Sequence, residues 1–184
     1  MSQTKQLFFI ALLPPPEVQQ VANAIKQEFA EVYNSRAALK SPPHVTLQPP
    51  FYWEREKLLD LEQLLRQFAQ SQLPIPMILD GFAAFRPRVI YINVLKTPEL
   101  LAVQQALMAE LESSLGIIHQ PSKNRPFAPH LTVGFKDLTK QNFQLAWSEF
   151  QHRQLHFEFI VPQLTLLAHN SKRWEISQEF SSLN

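Results

Sequence analysis

The chain has 184 residues, a hydrophobic fraction of 45%, a charged fraction of 18% and a formal net charge of +1. This composition is typical of a globular protein with one large domain or two small lobes, and the small net charge argues against binding along duplex DNA. The chain has no cysteine, which excludes disulfides, thiolate nucleophiles and zinc–thiolate sites. The apolar run at 7–13 is too short to span a membrane and has no convincing signal-peptide cleavage site, so we expect a cytoplasmic protein without a membrane partner.

Strands and helices alternate along the first part of the chain. Uninterrupted apolar runs predict buried strands, and apolar residues three and four positions apart predict amphipathic helices. The predicted elements are, in chain order, a strand at 7–13, a helix at 15–33, a strand at 44–48, a helix at 54–70 and a strand at 76–85.

The second part repeats this order and then adds strands. The predicted elements are a strand at 89–95, a helix at 98–115 ended by Gly116, a strand at 130–135, a helix at 139–150, and strands at 155–161, 164–169 and 174–180. The repeated order predicts an internal duplication. We therefore predict an α+β fold of two mostly antiparallel sheet lobes with outer helices, in which each half supplies an equivalent motif to a shared cleft. The chain is predicted to be a single domain over 1–184 with approximate repeat halves 1–86 and 87–184, and the C-terminal strands are free to cross back to the first lobe.

One short phrase occurs once in each half: His-Val-Thr-Leu at 44–47 and His-Leu-Thr-Val at 130–133. Strand side chains alternate between two faces, so His and Thr at i and i+2 share one face while the aliphatic residues point into a core. A single His-x-Thr is weak evidence, but two copies that both follow a proline are much less expected by chance. The candidate catalytic residues are therefore His44, Thr46, His130 and Thr132. The alternative is a pair of structural histidines at strand edges.

The two phrases also carry a family resemblance. The segments Pro-Pro-His-Val-Thr-Leu-Gln-Pro-Pro-Phe at 42–51 and Arg-Pro-Phe-Ala-Pro-His-Leu-Thr-Val-Gly at 125–134 resemble the two signature motifs of the 2H phosphoesterase superfamily. The branch they most resemble is that of the 2′–5′ RNA ligase-like proteins and bacterial cyclic phosphodiesterases. This resemblance implies a bilobal fold with pseudo-twofold symmetry, in which two mostly antiparallel sheets with outer helices surround a central groove. It also implies hydrolysis of 2′,3′-cyclic or 2′,5′-linked ribonucleotide phosphodiesters, a 2′-phosphomonoester product and RNA ligation as a side activity.

Two histidines suit this chemistry because opening a cyclic phosphate needs two proton movements. One imidazole takes a proton from water while the other gives one to the departing ribose oxygen, and the threonine hydroxyls hold the phosphate oxygens. This scheme requires no metal and no cofactor. The residues alone leave the two roles open, whereas the resemblance implies that His130 activates water and His44 protonates the leaving oxygen.

Seven further residues near the motifs are candidates for substrate binding. The cationic residues are candidates to supply positive charge, and for Lys123 and Arg125 the alternative is a solvated loop. The aromatic residues are candidates to stack on a base, and for them the alternative is core packing. Lys136 stands near the place where an arginine often follows the second motif of the family. These residues are Phe51, Tyr52, Phe85, Lys123, Arg125, Phe127 and Lys136.

The expected partners are RNA 2′,3′-cyclic phosphate ends or small cyclic nucleotides, bound by a monomer. A different class of function stays open, namely an RNA- or nucleotide-binding module with the same fold and little or no turnover. A zinc site built from His44, His130 and one further histidine is a second alternative. The four other histidines are expected to be structural or on the surface.

Overall fold

Eight strands and five α-helices lie along residues 4–182, the part of the chain that the computed structural model describes, and all but the short helix Gln120–Lys123 follow the predicted order. The strands are β1 (Lys5–Leu12), β2 (Val45–Glu54), β3 (Ile75–Phe85), β4 (Val89–Val94), β5 (His130–Gly134), β6 (His156–Val161), β7 (Gln163–His169) and β8 (Trp174–Ser181). The helices are α1 (Pro16–Val32), α2 (Leu58–Gln70), α3 (Pro98–Leu115), α4 (Gln120–Lys123) and α5 (Lys140–Phe150). Within these described residues, no helix is long and apolar enough to cross a membrane.

The strands form two antiparallel four-stranded sheets, which confirms the predicted fold class. Sheet 1 has the order β2-β1-β7-β8 and sheet 2 the order β5-β4-β3-β6. The strands that carry the two motifs, β2 and β5, are therefore edge strands, and they lie next to each other across the groove between the sheets. The segments β1-α1-β2-α2-β3 and β4-α3-β5-α5-β6 have the element order of the predicted repeat, with the short helix α4 added between α3 and β5.

The predicted halves 1–86 and 87–184 do not coincide with the two sheets. Strand β3 precedes residue 86 but pairs with β4 and β6 in sheet 2. The short connection between β3 and β4 favours a hairpin, so the strand before the predicted boundary pairs with the strand after it. The C-terminal strands β7 and β8 return to sheet 1, where β7 pairs with β1.

Strand β2 runs six residues past the predicted end at 48. The additional residues include Pro49 and Pro50, and proline cannot donate a ladder hydrogen bond. On an edge strand one side needs no ladder partner, and the pairing with β1 shifts register between Phe8 and Ile10, opposite the two prolines. The prolines therefore bend the edge of the groove without ending the strand.

Each repeat holds the motif strand of the other repeat with its first helix. Helix α1 packs on β5, and α3 packs on β2 and β3. Gly134 at the end of β5 lies against the ring of Phe29 of α1, and an added Cβ would lie 2.6 Å from Phe29 Cε1. In the other direction, Gln104 of α3 donates from Nε2 to the Leu47 carbonyl oxygen at 3.5 Å. The two edge strands are thus supported from opposite repeats.

Strand β1 is buried on both faces. One face joins the main core through Phe8, Ile10 and Leu12, all fully buried. The other face, on the groove side, forms a small separate cluster. That cluster consists of Phe9, Ala11, Leu13 and Leu167, with Trp174 packed against it. The run at 7–13 is therefore apolar throughout because a central strand must satisfy two apolar surfaces.

Candidate active site

Both motifs sit at the start of their edge strands with the predicted alternation. Strand β5 begins at His130, and β2 begins at Val45, one residue after His44. The aliphatic residue after each histidine, Val45 or Leu131, is at most 1% exposed, while both histidines are half-buried. The side chains of the two motifs are therefore divided between a core face and a face that solvent reaches.

The two imidazoles are anchored in the same way. His44 Nδ1 lies 2.7 Å from the carbonyl oxygen of Pro42, and His130 Nδ1 lies 2.7 Å from that of Ala128. A carbonyl oxygen only accepts, so Nδ1–H is the donor in both rings and the tautomer is fixed. Each Nε2 is then the atom free to take or give a proton. In both repeats the accepting carbonyl belongs to the residue two positions before the histidine.

Two adjoining cavities, each of about 410 Å³, form the groove. We call them the His130 arm and the His44 arm after the histidine that lines each. Thr46 and Pro50 line both arms, so the two meet at the middle of β2. Thr132 is half-buried on the same side of β5 as His130 but lines neither cavity.

The two arms differ in their lining. Apolar side chains and one arginine dominate the His130 arm, which includes Pro49, Pro121, Pro126, Phe127, Ala128 and Arg125. The His44 arm carries more charge, since its lining includes Lys40, Lys136, Lys172, Ser41 and Ser171. The pseudo-twofold symmetry of the strands therefore does not extend to the groove walls.

Burial makes both histidines poor carriers of charge in the empty groove. Desolvation lowers the pKa of His44 to about 4, and the positive charge of Lys26 lowers it further in the same direction, against the hydrogen bond to Pro42. Desolvation also lowers the pKa of His130. Both rings are therefore neutral at pH 7, and an anion entering the groove raises both pKa values because it favours the charged form.

A buried lysine stands behind His44. Lys26 of α1 is 1% exposed, and its Nζ donates to the Ser41 carbonyl oxygen at 2.9 Å. Burial lowers the pKa of Lys26 to about 7. Ser41 lines the His44 arm, so this ammonium supports the wall of the groove from inside the protein. Nothing in the sequence marks Lys26 as buried, because a lysine next to the apolar stripe of a helix usually reaches solvent.

Aromatic rings pack against both imidazoles. The Phe9 ring lies 4.7 Å from the ring of His44. Phe85 meets His130 edge to face at 5.0 Å, and Tyr91 lies 5.3 Å from the same ring. These contacts fix the ring orientations and account for part of the desolvation. Phe9 and Tyr91 escaped the sequence analysis because they lie on β1 and β4, far along the chain from the motifs.

The structure separates the candidate substrate-binding residues into two groups. Arg125 and Phe127 line the His130 arm, Lys136 lines the His44 arm, and Phe85 contacts His130 with 40% of its surface exposed. The other three lie elsewhere.

Phe51, Tyr52 and Lys123 line neither arm, which corrects their predicted place at the substrate. Phe51 is 9% exposed and belongs to the main core, where it packs near Phe8, because it alternates with Tyr52 toward the opposite face. Tyr52 is exposed and lines a different cavity. Lys123 forms an ion pair with Glu112 of α3. Proximity along the chain did not place Phe51 or Lys123 at the groove. The cavity of Tyr52 adjoins the His44 arm, with which it shares His169.

Two further histidines reach the groove although none was expected to. His119 lines the His130 arm and contacts the Ser122 hydroxyl through Nδ1 at 2.6 Å. His169 lines the His44 arm and packs against Trp174. Across residues 4–182, no group of three or more His, Asp or Glu side chains is arranged to hold a metal ion. The zinc alternative therefore has no third ligand among the described residues.

Comparison with known proteins places this chain among relatives of matching length. A model of the 2′-5′ RNA ligase superfamily matches residues 14–173. A protein of Geobacillus kaustophilus that is provisionally named a phosphoesterase is 30% identical over 174 residues, covering 93% of each chain, and one of Geobacillus sp. WCH70 with a similar name is 29% identical with the same coverage.

Solved structures match the fold over almost the whole chain. E. coli LigT in complex with 3′-AMP superposes with a TM-score of 0.71 at 19% identity, covering 98% of this chain and 99% of LigT. TT0787 of Thermus thermophilus superposes with a TM-score of 0.68 at 20% identity, covering 95% of this chain and 97% of the other. The two sheets and the groove between them are thus a shared architecture.

Proposed function

Because this chain belongs to the 2′-5′ RNA ligase superfamily of 2H phosphoesterases, we propose that it is a metal-independent phosphodiesterase acting on 2′,3′-cyclic or 2′,5′-linked ribonucleotide phosphodiesters. The observation that carries the proposal is the matched pair of histidine anchors. Each Nδ1–H donates to a carbonyl two residues earlier, at 2.7 Å, so both Nε2 atoms are free. A structural role for the histidines does not call for two such free atoms beside one groove.

The reaction divides between the two Nε2 atoms. A water molecule attacks phosphorus while one neutral Nε2 takes its proton, and the bond between phosphorus and a ribose oxygen breaks. The other imidazole, protonated, gives its Nε2 proton to that departing oxygen. If the 3′ oxygen departs, the product is a 2′-phosphomonoester. We assign the water to His130 and the leaving oxygen to His44, following the family resemblance.

His44, the proposed acid, must become protonated when the substrate binds. The pKa of His44 is about 4 in the empty groove, so the ring is neutral at pH 7. The negative charge of the bound phosphate favours the imidazolium and raises this pKa. Thr46, at the junction of the two arms, and Thr132 donate hydroxyl protons to the phosphate oxygens, where charge builds up during the reaction.

The test is hydrolysis of the four nucleoside 2′,3′-cyclic phosphates in excess EDTA, with identification of the product isomer. We expect turnover in the wild-type protein and a loss of several orders of magnitude in His44→Asn and His130→Asn. Asparagine keeps an N–H donor near the Nδ1 position, so each variant preserves the anchor to the carbonyl. Most activity remaining in either variant would refute the two-histidine mechanism. Binding of the cyclic nucleotides without turnover, unchanged in both variants, would support the nucleotide-binding alternative.

The assignment of roles has its own test. A substrate with an activated leaving group, such as a p-nitrophenyl ester of a nucleoside phosphate, needs no acid. We expect this substrate to restore most of the rate in His44→Asn but not in His130→Asn. Restoration in His130→Asn alone would reverse the two roles.

A further inference from the structure

The His44 arm holds three lysines from three separate segments. Lys40 ends the 3₁₀ turn Ala37–Lys40, Lys136 follows β5, and Lys172 lies in the turn between β7 and β8. Among residues 4–182, no Asp or Glu side chain lines this arm. The protein as a whole carries a formal charge of only +1, so three lysines around one cavity of about 410 Å³ are a marked local concentration of positive charge.

These lysines have no carboxylate partner among the described residues. The ion pairs within residues 4–182 involve other cations, namely Lys57, Lys123, Arg153 and His156. The carboxylate next to Lys136 in sequence, Asp137, is occupied elsewhere. It accepts from the Ser35 hydroxyl at 2.8 Å and from the backbone N–H groups of Arg36 and Ala37 at 2.8 and 3.0 Å. The lysines are therefore available to an anionic ligand.

The proposed reaction alone does not use this charge. The cyclic phosphate carries one negative charge and lies where the arms meet, beside Thr46 and the two histidines. The three lysines line the His44 arm and suit a second phosphate. At a cyclic end the 2′ and 3′ oxygens are both bonded to one phosphorus atom, so the terminal nucleotide can carry another phosphate only on its 5′ oxygen.

We propose that the His44 arm is a subsite for the phosphate on the 5′ oxygen of the terminal nucleotide, held by Lys40, Lys136 and Lys172. This inference rests on the proposed function and narrows it: the preferred substrate carries a 5′ phosphate in addition to its cyclic end. The more apolar His130 arm, with Phe127 and its prolines, lies on the other side of the reacting phosphate. The difference between the arms orients the substrate in an otherwise nearly symmetric groove.

The experiment compares three substrates that share one base. They are a nucleoside 2′,3′-cyclic phosphate with a 5′ hydroxyl, its 5′-phosphorylated form, and a dinucleotide that ends in the same cyclic phosphate. We expect kcat/KM to be about tenfold or more higher for the two substrates that carry a 5′ phosphate, because hydrogen bonds to charged groups are the strong ones. A higher kcat/KM for the 5′-phosphorylated nucleoside cyclic phosphate only would assign the subsite to free 5′-phosphorylated nucleotides. A higher kcat/KM for the dinucleotide as well would extend the subsite to RNA ends.

Variants of the three lysines test whether these side chains cause the increase in kcat/KM. Lys40→Gln, Lys136→Gln and Lys172→Gln should each remove a factor of about 3 to 10 from that gain. In each variant the loss of kcat/KM should be larger for the two substrates that carry a 5′ phosphate than for the 5′-hydroxyl substrate. Lys140→Gln is the matched control, since Lys140 is exposed at the start of α5 and lines neither arm. Equal rates for all three substrates, or an equal loss in the control variant, would overturn the subsite.

A binding measurement separates this proposal from the proposed function. Calorimetric titration with a nucleoside 2′-phosphate and with the corresponding 2′,5′-bisphosphate needs no turnover. Tighter binding of the bisphosphate that depends on the three lysines would support the subsite even if no cyclic phosphate were hydrolysed. Equal affinities would refute the subsite even if hydrolysis were efficient.

Discussion

Replacing Lys26 with methionine should change how the stability of the protein depends on pH. Lys26 is a fully buried ammonium whose Nζ has one hydrogen-bond partner, the Ser41 carbonyl oxygen. Methionine has a similar length and no charge, so it fills the same space while removing the titrating group. The variant tests whether a charge is held beneath the wall of the groove.

The size of the effect follows from the pKa of Lys26, which burial lowers from 10.5 to about 7. Between these values the unfolded chain binds more protons than the folded protein, so the free energy of unfolding rises with pH in this window. Since a tenfold change in proton affinity is worth about 1.4 kcal/mol, we expect a rise of about 3 kcal/mol between pH 6 and pH 9. Lys26→Met should abolish this contribution.

At pH 7 the variant should also be more stable than the wild type. Removing the buried charge relieves a cost of about 4 kcal/mol. Losing the hydrogen bond leaves the Ser41 carbonyl without its partner and costs about 1–3 kcal/mol. The net expectation is a gain of about 1–3 kcal/mol in the free energy of unfolding, the difference between these two.

The assay is urea unfolding followed by tryptophan fluorescence at several pH values from 6 to 9. Thiol ionisation does not contribute because the chain has no cysteine. Lys140→Gln, which changes an exposed lysine on α5, should keep the wild-type dependence. A wild-type stability that stays flat above pH 7, or a slope that persists unchanged in Lys26→Met, would refute a buried ammonium at this position.

Three further outcomes can be measured. When kcat/KM is plotted against pH, it should peak between about pH 4 and the ordinary histidine pKa of about 6.5. The reason is that no base remains once both His44 and His130 are protonated, and no acid remains once both are neutral. A plateau of kcat/KM from pH 7 to 9 would contradict this expectation. Changing either motif threonine to valine should lower kcat by about 10²–10³-fold without changing urea unfolding, and an unchanged kcat would remove that hydroxyl from the mechanism. Gly134→Ala should destabilise the protein by about 1–3 kcal/mol through overlap with Phe29, and Phe29→Leu should lessen this penalty; the same penalty in both backgrounds would show that the two residues do not compete for space.

The local part of the site could be predicted because its signal is local. Alternation with a period of two places His44 and Thr46 on one face and Val45 on the other from three consecutive residues, and the repetition at 130–132 points to the same arrangement. The distribution of strands between sheets has no such local signal. Strand β3 carries the same kind of apolar residues whether it joins β4 or β1, and only the short connection after Phe85 favours the hairpin that forms.

The walls of the groove were the hardest part to predict from sequence. Lys40, Lys136 and Lys172 come from segments far apart along the chain, and only the return of β7 and β8 to sheet 1 brings the last of them to His44. Phe51 shows the opposite case. It is near the first motif in sequence, but the side-chain alternation and the irregular pairing at Pro49 and Pro50 direct it into the core.

The exchange of helices between the repeats makes the two halves mutually dependent. A fragment containing only the first repeat would keep β2 but lose α3, which packs on it, and a fragment of the second repeat would keep β5 but lose α1. Neither half therefore retains a supported motif strand when it is cut from the other. Separate expression of the two repeats should therefore yield chains that gain structure only when they are mixed, because each supplies the helix on which the motif strand of the other packs.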